Sequence, residues 1–275
     1  MFTLNCNGRL LTIDKPIVMG ILNITPDSFY AGSRLQDEDE LLKRAEKMIS
    51  DGATILDIGG QSTRPNSSRV SQDEEQQRVV PAIDAVHRRF PETIISVDTF
   101  YAGVAREAVA AGAAIVNDVS AGTLDEQLIP TVARLGVPYV LMHMQGNPQT
   151  MQKNPRYENV TLEVFDALSF RLKGLHQAGI RDVIIDPGFG FGKTIAHNFR
   201  LLRELSFFQQ LQTPILIGLS RKGTVYKTLN TTLEQALNGT TVLHTMALLN
   251  GATILRVHDV KEATEAITLF EAYKK

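Results

Sequence analysis

Eight short apolar, β-branched runs recur along the chain, near residues 17–22, 54–58, 94–98, 114–117, 138–143, 183–186, 214–218 and 253–257. Most of them stop at a polar residue. Ile17-Val-Met-Gly-Ile-Leu runs into Asn23, Ile94-Ile-Ser-Val into Asp98, and Ile115-Val116 into Asn117 and Asp118. Tyr139-Val-Leu-Met meets His143, Val183-Ile-Ile meets Asp186, and Ile254-Leu255 meets Arg256 and His258. A strand buried on both faces reads as a continuous apolar run, so a polar residue recurring at each carboxyl end puts these groups on one face of a parallel sheet. Between the runs the apolar period is helical. Leu41, Leu42, Ala45, Met48 and Ile49, for instance, form one stripe of a helix beginning near Asp37. A glycine closes the helix just before the next strand at Gly52, Gly112, Gly136, Gly179 and Gly251.

Eight βα units predict an α/β fold, a closed single-domain (β/α)₈ TIM barrel, more naturally than an open sheet. The 275 residues carry no serine-rich linker, charge block or composition shift, so 1–275 reads as one domain. Residues 2–14 precede the repeat and read as a hairpin turning at Asn7-Gly8, with 1–15 capping one end of the barrel. Pro81, inside the helical region after the second strand, predicts a kink or a restart there. The identical pentapeptides Gly52-Ala-Thr-Ile-Leu and Gly251-Ala-Thr-Ile-Leu reflect repeated βα architecture and no more.

A net charge of −2 offers no long-range attraction to nucleic acid or a membrane, so an anionic ligand must be held by local positive charge. The single cysteine, Cys6, excludes an intrachain disulfide and fits a reducing compartment. The amino terminus lacks the pattern of a signal peptide and no apolar run reaches transmembrane length, so a cytoplasmic location is expected.

Asp186-Pro-Gly-Phe-Gly-Phe-Gly-Lys193 invites two nucleotide-binding readings, and both fail. A phosphate loop needs glycine where Pro187 stands, and the dinucleotide fingerprint needs glycine where Lys193 stands. The stretch is then a glycine-rich turn after a core strand. Residues 23–36, 59–72 and 143–160 are long connections without periodicity, all following strands, where such a barrel builds its active site.

The polar set on that face is Asn23, Thr63, Arg64, Asp98, Asn117, Asp186, Ser220, Lys222, Arg256 and His258. It has no spaced cysteine or histidine ligands for a tight transition-metal site and no nucleophile with an obvious base. Two subsets stand out. Asn23, Arg256 and His258 join donors to positive charge beside the last strand, where barrels often bind phosphate, near a helix that starts about Asp259. Asp98, Asn117, Asp186 and Lys222 suit a flat heterocycle with an amidine-like edge, because a carboxylate accepts two parallel donors from it. Each residue also has a plainer reading. Asn117 and Asp118 equally well cap a helix or form a turn, Arg256 can pair with a neighbouring carboxylate, His143 reads as a satisfied core histidine, and Met142 and Met144 as barrel filling, with Met142 able to floor a pocket.

Eight stretches, in order and each after a predicted strand, closely resemble the dihydropteroate synthases over nearly the whole chain. They are Met19-Gly-Ile-Leu-Asn-Ile-Thr-Pro-Asp-Ser-Phe29, Asp57-Ile-Gly-Gly-Gln-Ser-Thr-Arg-Pro65, Ser96-Val-Asp-Thr99, Val116-Asn-Asp-Val-Ser120, Leu141-Met-His-Met-Gln-Gly146, Asp186–Lys193, Gly218-Leu-Ser-Arg-Lys-Gly223 and Arg256-Val-His258. The resemblance implies condensation of 6-hydroxymethyl-7,8-dihydropterin pyrophosphate with 4-aminobenzoate in folate biosynthesis, Mg²⁺ as cofactor, and a homodimer. By motif, Asp98, Asn117, Met142, Asp186, Phe191, Gly218 and Lys222 would bind the pterin. Asn23, Thr63, Arg64, Arg256 and His258 would bind the pyrophosphate, with Asn23 also bearing on Mg²⁺. Phe29, Thr63, Arg64, Pro65, Ser220 and Lys222 would shape the aminobenzoate site, and Asp98, Lys222, Arg256 and His258 would be catalytic. One departure is that Ala31 stands where many members carry a carboxylate, which bears on closure of the first loop, not on the reaction class. A methyltransferase using a reduced folate has no need of Arg256 and His258 as a clamp, and a non-catalytic pterin-binding protein has no need of the full charged set. The helix near Leu233 to Asn250, with Leu237, Thr241, His244, Ala247 and Leu248, reads as barrel packing ahead of a subunit contact.

Overall fold

The computed structural model describes residues 1–24, 34–61, 70–146, 151 and 154–275, the side chains of 34–37 excepted. Strands β1 (Phe2–Cys6) and β2 (Arg9–Ile13) form the expected antiparallel hairpin. Its two turn residues, Asn7 at φ 53° and Gly8 at φ 87°, both take the left-handed conformation that a two-residue hairpin turn requires.

Eight parallel strands follow: β3 (Ile17–Asn23), β4 (Ile55–Gly59), β5 (Ile94–Asp98), β6 (Ile115–Asp118), β7 (Tyr139–Met142), β8 (Val183–Asp186), β9 (Leu216–Ile217) and β10 (Ile254–Val257). They neighbour one another in the order β8-β7-β6-β5-β4-β3-β10-β9. A parallel bridge between Ile185 and Ile215 brings the two ends of the sheet together, so the barrel is nearly closed. Helices α1 (Arg34–Ser50), α2 (Gln72–Arg89), α3 (Ala102–Ala110), α4 (Leu128–Leu135), α5 (Val160–Gln177) and α6 (Ile195–Arg203) each follow a strand. Both α7 (Gly223–Thr228) and α8 (Leu237–Leu249) lie between β9 and β10, and α9 (Val260–Tyr273) ends the chain.

Two expectations are corrected. Helix α2 passes through Pro81 without restarting, because Pro81 and Gln77 are both exposed and water can take the carbonyl that proline leaves without a partner. The predicted strand at 214–218 shrinks to Leu216–Ile217. Pro214 has no N–H to give to a ladder, and β9 pairs with β10 through only two residues.

Three apolar clusters divide the interior. The largest lies between strands and helices and includes Leu22, Leu56, Val97, Val116, Leu141 and Ile185, the outward residues of the strands. The second fills the barrel from its amino-terminal end: Met19, Ile55, Ile94, Ile115, Val140, Ile184, Leu216 and Ile254 point inward, and Leu4, Cys6, Leu11 and Ile13 of the hairpin plug the opening beneath them. The hairpin thus caps the barrel, held further by Asn5 N–H to Asp182 Oδ2 at 2.8 Å and by Arg9 Nη1 to the Pro91 carbonyl at 2.9 Å. The third cluster, Phe100, Val119, Met142, Met151 and Phe191, sits at the opposite, carboxyl mouth. Because Leu11 is buried in the plug, Leu11→Ala is expected to destabilise the fold by about 2–5 kcal/mol, read as a shift in the urea midpoint at unchanged m-value, with ligand binding at the far mouth unaffected.

Candidate active site

Side chains along a strand alternate between faces, so the residue two places beyond each inward apolar one also points into the barrel. Here that step changes the chemistry. Ile55 is followed by Asp57, Ile94 by Ser96 and then Asp98, Ile115 by Asn117, Val140 by Met142, Ile184 by Asp186, Leu216 by Gly218, and Ile254 by Arg256 and then His258. Asp57 and Ser96 are fully buried, while Asn117 and Asp186 are buried nearly so. The same alternation resolves the open reading at 117 and 118. Asp118 points outward and forms a turn, accepting from Ser120 N–H at 2.7 Å, Gly122 N–H at 2.6 Å and the Tyr139 hydroxyl at 2.6 Å, whereas Asn117 faces the interior.

Arg256 is the centre of this polar layer. Its Nε donates to Asp57 Oδ2 at 2.6 Å and its Nη2 to Asp98 Oδ2 at 2.7 Å. Asp57 Oδ2 also accepts from Asn117 Nδ2 at 3.0 Å. Burial opposes charge on Arg256, but the carboxylates of Asp57 and Asp98 outweigh it and hold the guanidinium above its usual range. Asp98 moves up to about 7, chiefly because burial disfavours its charge; Arg256 opposes the shift, and Asp57, Glu75 and Asp118 add to it. Asp98 in the fold therefore holds its proton to higher pH than in the unfolded chain.

The glycine loop after β8 is gripped by two lysines. Lys193, only 3% exposed, reaches the carbonyls of Gly188 and Phe191 at 3.0 Å each and that of His143 at 3.3 Å. Its ammonium also lies 3.0 Å from His143 Nδ1, so that nitrogen accepts, and burial together with Lys193 pushes His143 down to about 3. Lys222 takes the intervening Phe189 carbonyl at 2.5 Å and stands 4.5 Å above the centre of the Phe191 ring. Burial lowers Lys193 to about 7 and Lys222 to about 8, in each case against the pull of Asp186. Asp186 itself is shifted up by burial, opposed by Lys222, and accepts the Gly188 N–H at 2.7 Å. Only glycine fits position 188, where φ is +74° and a Cβ would lie 1.8 Å from the His143 carbonyl oxygen.

The loops after β9 and β10 are joined by two side-chain pairs in adjacent positions. Ser220 Oγ accepts the His258 backbone N–H at 3.2 Å and lies 3.0 Å from His258 Nδ1. Next to it, Arg221 clasps Asp259 with Nε and Nη2, each at 2.8 Å, and its Nη1 reaches the carbonyls of Leu233 and Glu234. Helix α9 begins just beyond, at Val260, with the Asp259 carboxylate engaged by Arg221 instead of capping it.

The mouth is apolar on one wall and lined by carboxylates, an amide and lysines on the other, and comparison with known proteins says which family builds such a site. The family profile described as "Pterin binding enzyme" matches residues 19–258. The dihydropteroate synthase of Escherichia coli strain K12 is 44% identical over 268 residues, covering 96% of this chain and 94% of that protein. The chain belongs to the dihydropteroate synthases. It is accordingly a transferase of folate biosynthesis. Among solved structures, a Xanthomonas albilineans dihydropteroate synthase with 4-aminobenzoic acid superposes at a TM-score of 0.91, with 41% identity and 99% and 98% of the two chains covered. The same organism's enzyme in complex with 7,8-dihydropteroate gives 0.88 at 39% identity, with 99% of both chains covered.

For a dihydropteroate synthase chain, the structure brings Asp98, Asn117, Met142, Asp186, Phe191, Gly218, Lys222 and Arg256 to one mouth, with Asn23 and His258 exposed at its rim. Phe29, Ala31, Thr63, Arg64 and Pro65 lie outside the described residues. The two subsets read separately from sequence interlock, because Arg256 is bonded to Asp98, and His258 to Ser220 of the expected aminobenzoate group. Sequence reasoning passed over Asp57, Phe100, Val119, Arg221 and Lys193 as parts of the site. The step of two from Ile55 signals Asp57, whereas Lys193 has no sequence signal, since its partners come from two separate loops. Among the described residues no three of His, Cys, Asp or Glu cluster as a metal site. Lys193→Ala removes the donor shared by three carbonyls and an imidazole nitrogen. The expected loss is about 3 kcal/mol of stability, measured by chemical denaturation together with faster amide exchange at Gly188–Gly192.

Proposed function

We propose that the mouth condenses 6-hydroxymethyl-7,8-dihydropterin pyrophosphate with 4-aminobenzoate by ionisation of the pterin C–O bond followed by attack of the amine. The observation that carries this reading is the combination of Asp98, Asn117, Asp186 and Lys222 beneath an apolar wall, with Arg256 bonded among them and His258 at the rim. Asp186 and Asn117 would pair with the polar edge of the pterin ring, Lys222 would add a donor, and Met142 and Phe191 would pack on its faces, with Gly218 leaving room beside the Lys222 ammonium. Arg256 keeps Nη1 for the departing pyrophosphate, since Nε and Nη2 are committed to carboxylates. Ser220 Oγ accepts the His258 backbone N–H and lies 3.0 Å from His258 Nδ1, so the imidazole is tied to the loop after β9 beside Arg256.

As the C–O bond breaks, positive charge grows on the pterin methylene and negative charge on the leaving oxygen. The ionised Asp98 steadies the first, and Arg256 with His258 the second. No nucleophilic residue is needed, and the neutral aromatic amine of 4-aminobenzoate attacks without a dedicated base. Thr63, Arg64, Pro65 and Phe29 remain assigned to the pyrophosphate and aminobenzoate sites by motif. Asn23 offers one exposed amide oxygen, which fits Mg²⁺, an ion that takes few protein ligands and shares substrate phosphate oxygens. When bound, Mg²⁺ would supply Lewis-acid charge to the pyrophosphate. The clamp of Arg256 and His258 favours the synthase over a folate-dependent methyltransferase, whose chemistry releases no anion of this kind.

Residues 1–275 act as one pterin-binding domain, with the hairpin in 1–15 as its floor. A homodimer is supported by Val242, Met246 and Leu249, exposed apolar residues on one face of α8, while His244, Ala247 and Leu248 are buried against the barrel. Sedimentation of the wild type as twice the chain mass, and of Met246→Lys as a monomer, is the expected result. A cytoplasmic location is proposed from the single cysteine, Cys6, a free and buried thiol; no helix among the described residues is long and apolar enough to cross a membrane.

The direct test follows pyrophosphate and dihydropteroate together, with Mg²⁺ and with or without 4-aminobenzoate. Coupled release is expected, and its absence with the proper substrate pair sinks the reading. Since Asp98 must be ionised, kcat should fall as pH drops below about 7, and Asp98→Asn should be slow with that limb abolished. Stability runs the other way. The fold raises the Asp98 pKa from 3.8 to about 7, so it favours the protonated form, and the Asp98 contribution is lost as pH rises through that window. Asp98→Asn should remove that slope from the denaturation midpoint.

A further inference from the structure

Asp57 is a fully buried carboxylate of the mouth that the reaction scheme does not use. It comes from β4, yet its Oδ2 receives donors from β6 and β10: Asn117 Nδ2 at 3.0 Å and Arg256 Nε at 2.6 Å. Through Arg256 it is connected to Asp98 on β5, so four of the eight strands meet at this group.

We propose that Asp57 is a positioning residue that joins the pterin half of the site to the pyrophosphate half, by setting which way the Asn117 amide faces and where the Arg256 guanidinium lies. The inference rests on the synthase reading for the roles of Asn117 and Arg256. An asparagine amide has a donor end and an acceptor end of nearly equal shape, and only its hydrogen-bond partners decide which end meets a ligand. Both groups that reach Asp57 Oδ2 are N–H donors, one of them the Arg256 guanidinium, so Asp57 takes the Nδ2 end and turns Asn117 Oδ1 toward the pocket as an acceptor for a ring N–H. The guanidinium is planar and rigid. Anchoring Nε on Asp57 and Nη2 on Asp98 fixes the plane along one edge and leaves Nη1 for an anion. Arg256 is 18% exposed, Asp98 12% and Asp57 not at all, so the anchor is beneath and the two working groups are above. Removing Asp57 would free both at once, although it touches neither ligand.

The test is calorimetric titration of the full-length protein with 6-hydroxymethylpterin, and separately with inorganic pyrophosphate plus Mg²⁺. Asp57→Asn keeps shape and volume, and Asp57→Ala removes both contacts; circular dichroism identifies which variants fold. The expected result is a loss of about tenfold in affinity for each probe, about 1.4 kcal/mol. The diagnostic readout is non-additivity. Asn117→Ala should weaken pterin binding several-fold in the wild type and hardly at all in Asp57→Asn, and Arg256→Met should behave likewise toward pyrophosphate. Additive losses, or a loss confined to one probe, would overturn the proposal. A wild-type protein that binds neither probe would instead overturn the site assignment beneath it, and the two failures are told apart by that control.

Discussion

A guanidinium held between two buried carboxylates organises the mouth of this barrel. Arg256 lies between Asp57 and Asp98 at 2.6 and 2.7 Å, and the other polar groups of the layer are arranged around it. Such a cluster is a poor source of stability, because the desolvation of three charges offsets most of their attraction, and apolar residues of similar volume often do as well. The barrel has those residues available, since the layer two residues below is wholly apolar from Ile55 around to Ile254. The charges are therefore understandable as chemistry set on a floor that needs none of them for folding. Their geometry is stiff because breaking any one contact would strand a buried charge.

The second constraint is the glycine loop after β8. Its backbone approaches the segment after β7 so closely that side chains are excluded, and its carbonyls are divided between Lys193 beneath and Lys222 at the site. A loop with three left-handed glycines has much conformational freedom to lose. Two buried lysines hold it in one arrangement, so under the proposed function the Phe191 wall and the Lys222 donor are in place before substrate arrives. This is the preorganisation that electrostatic catalysis requires, since dipoles that must rotate during the reaction lose most of their effect.

Fold and site are linked through the alternation of strand residues. An inward apolar residue and an inward polar one stand two apart on β4, β5, β6, β8 and β10, so a slip of one residue in register would put charges against the helices and methyl groups in the mouth. The hairpin plug at the other end seals the apolar floor from water. That separation lets Asp57 and Asp186 sit in an environment dry enough to sharpen their interactions without opening the core.

The βα count, the hairpin turn at Asn7-Gly8, the placement of the long connections and the common address of Asp98, Asn117, Asp186, Lys222, Arg256 and His258 were all determined by sequence alone, because each depends on local period or on turn chemistry. Helix α2 through Pro81 and the shortened β9 departed from it, since solvent access and strand pairing are not local properties. Which groups touch was decided only by tertiary structure. Asp57 meets Arg256 across 199 residues and Asn117 across 60, and Lys193 meets His143 across 50. A hydrogen bond has a reach of about 3 Å, and the closure of a barrel, not the spacing of residues along the chain, brings such distant partners within it.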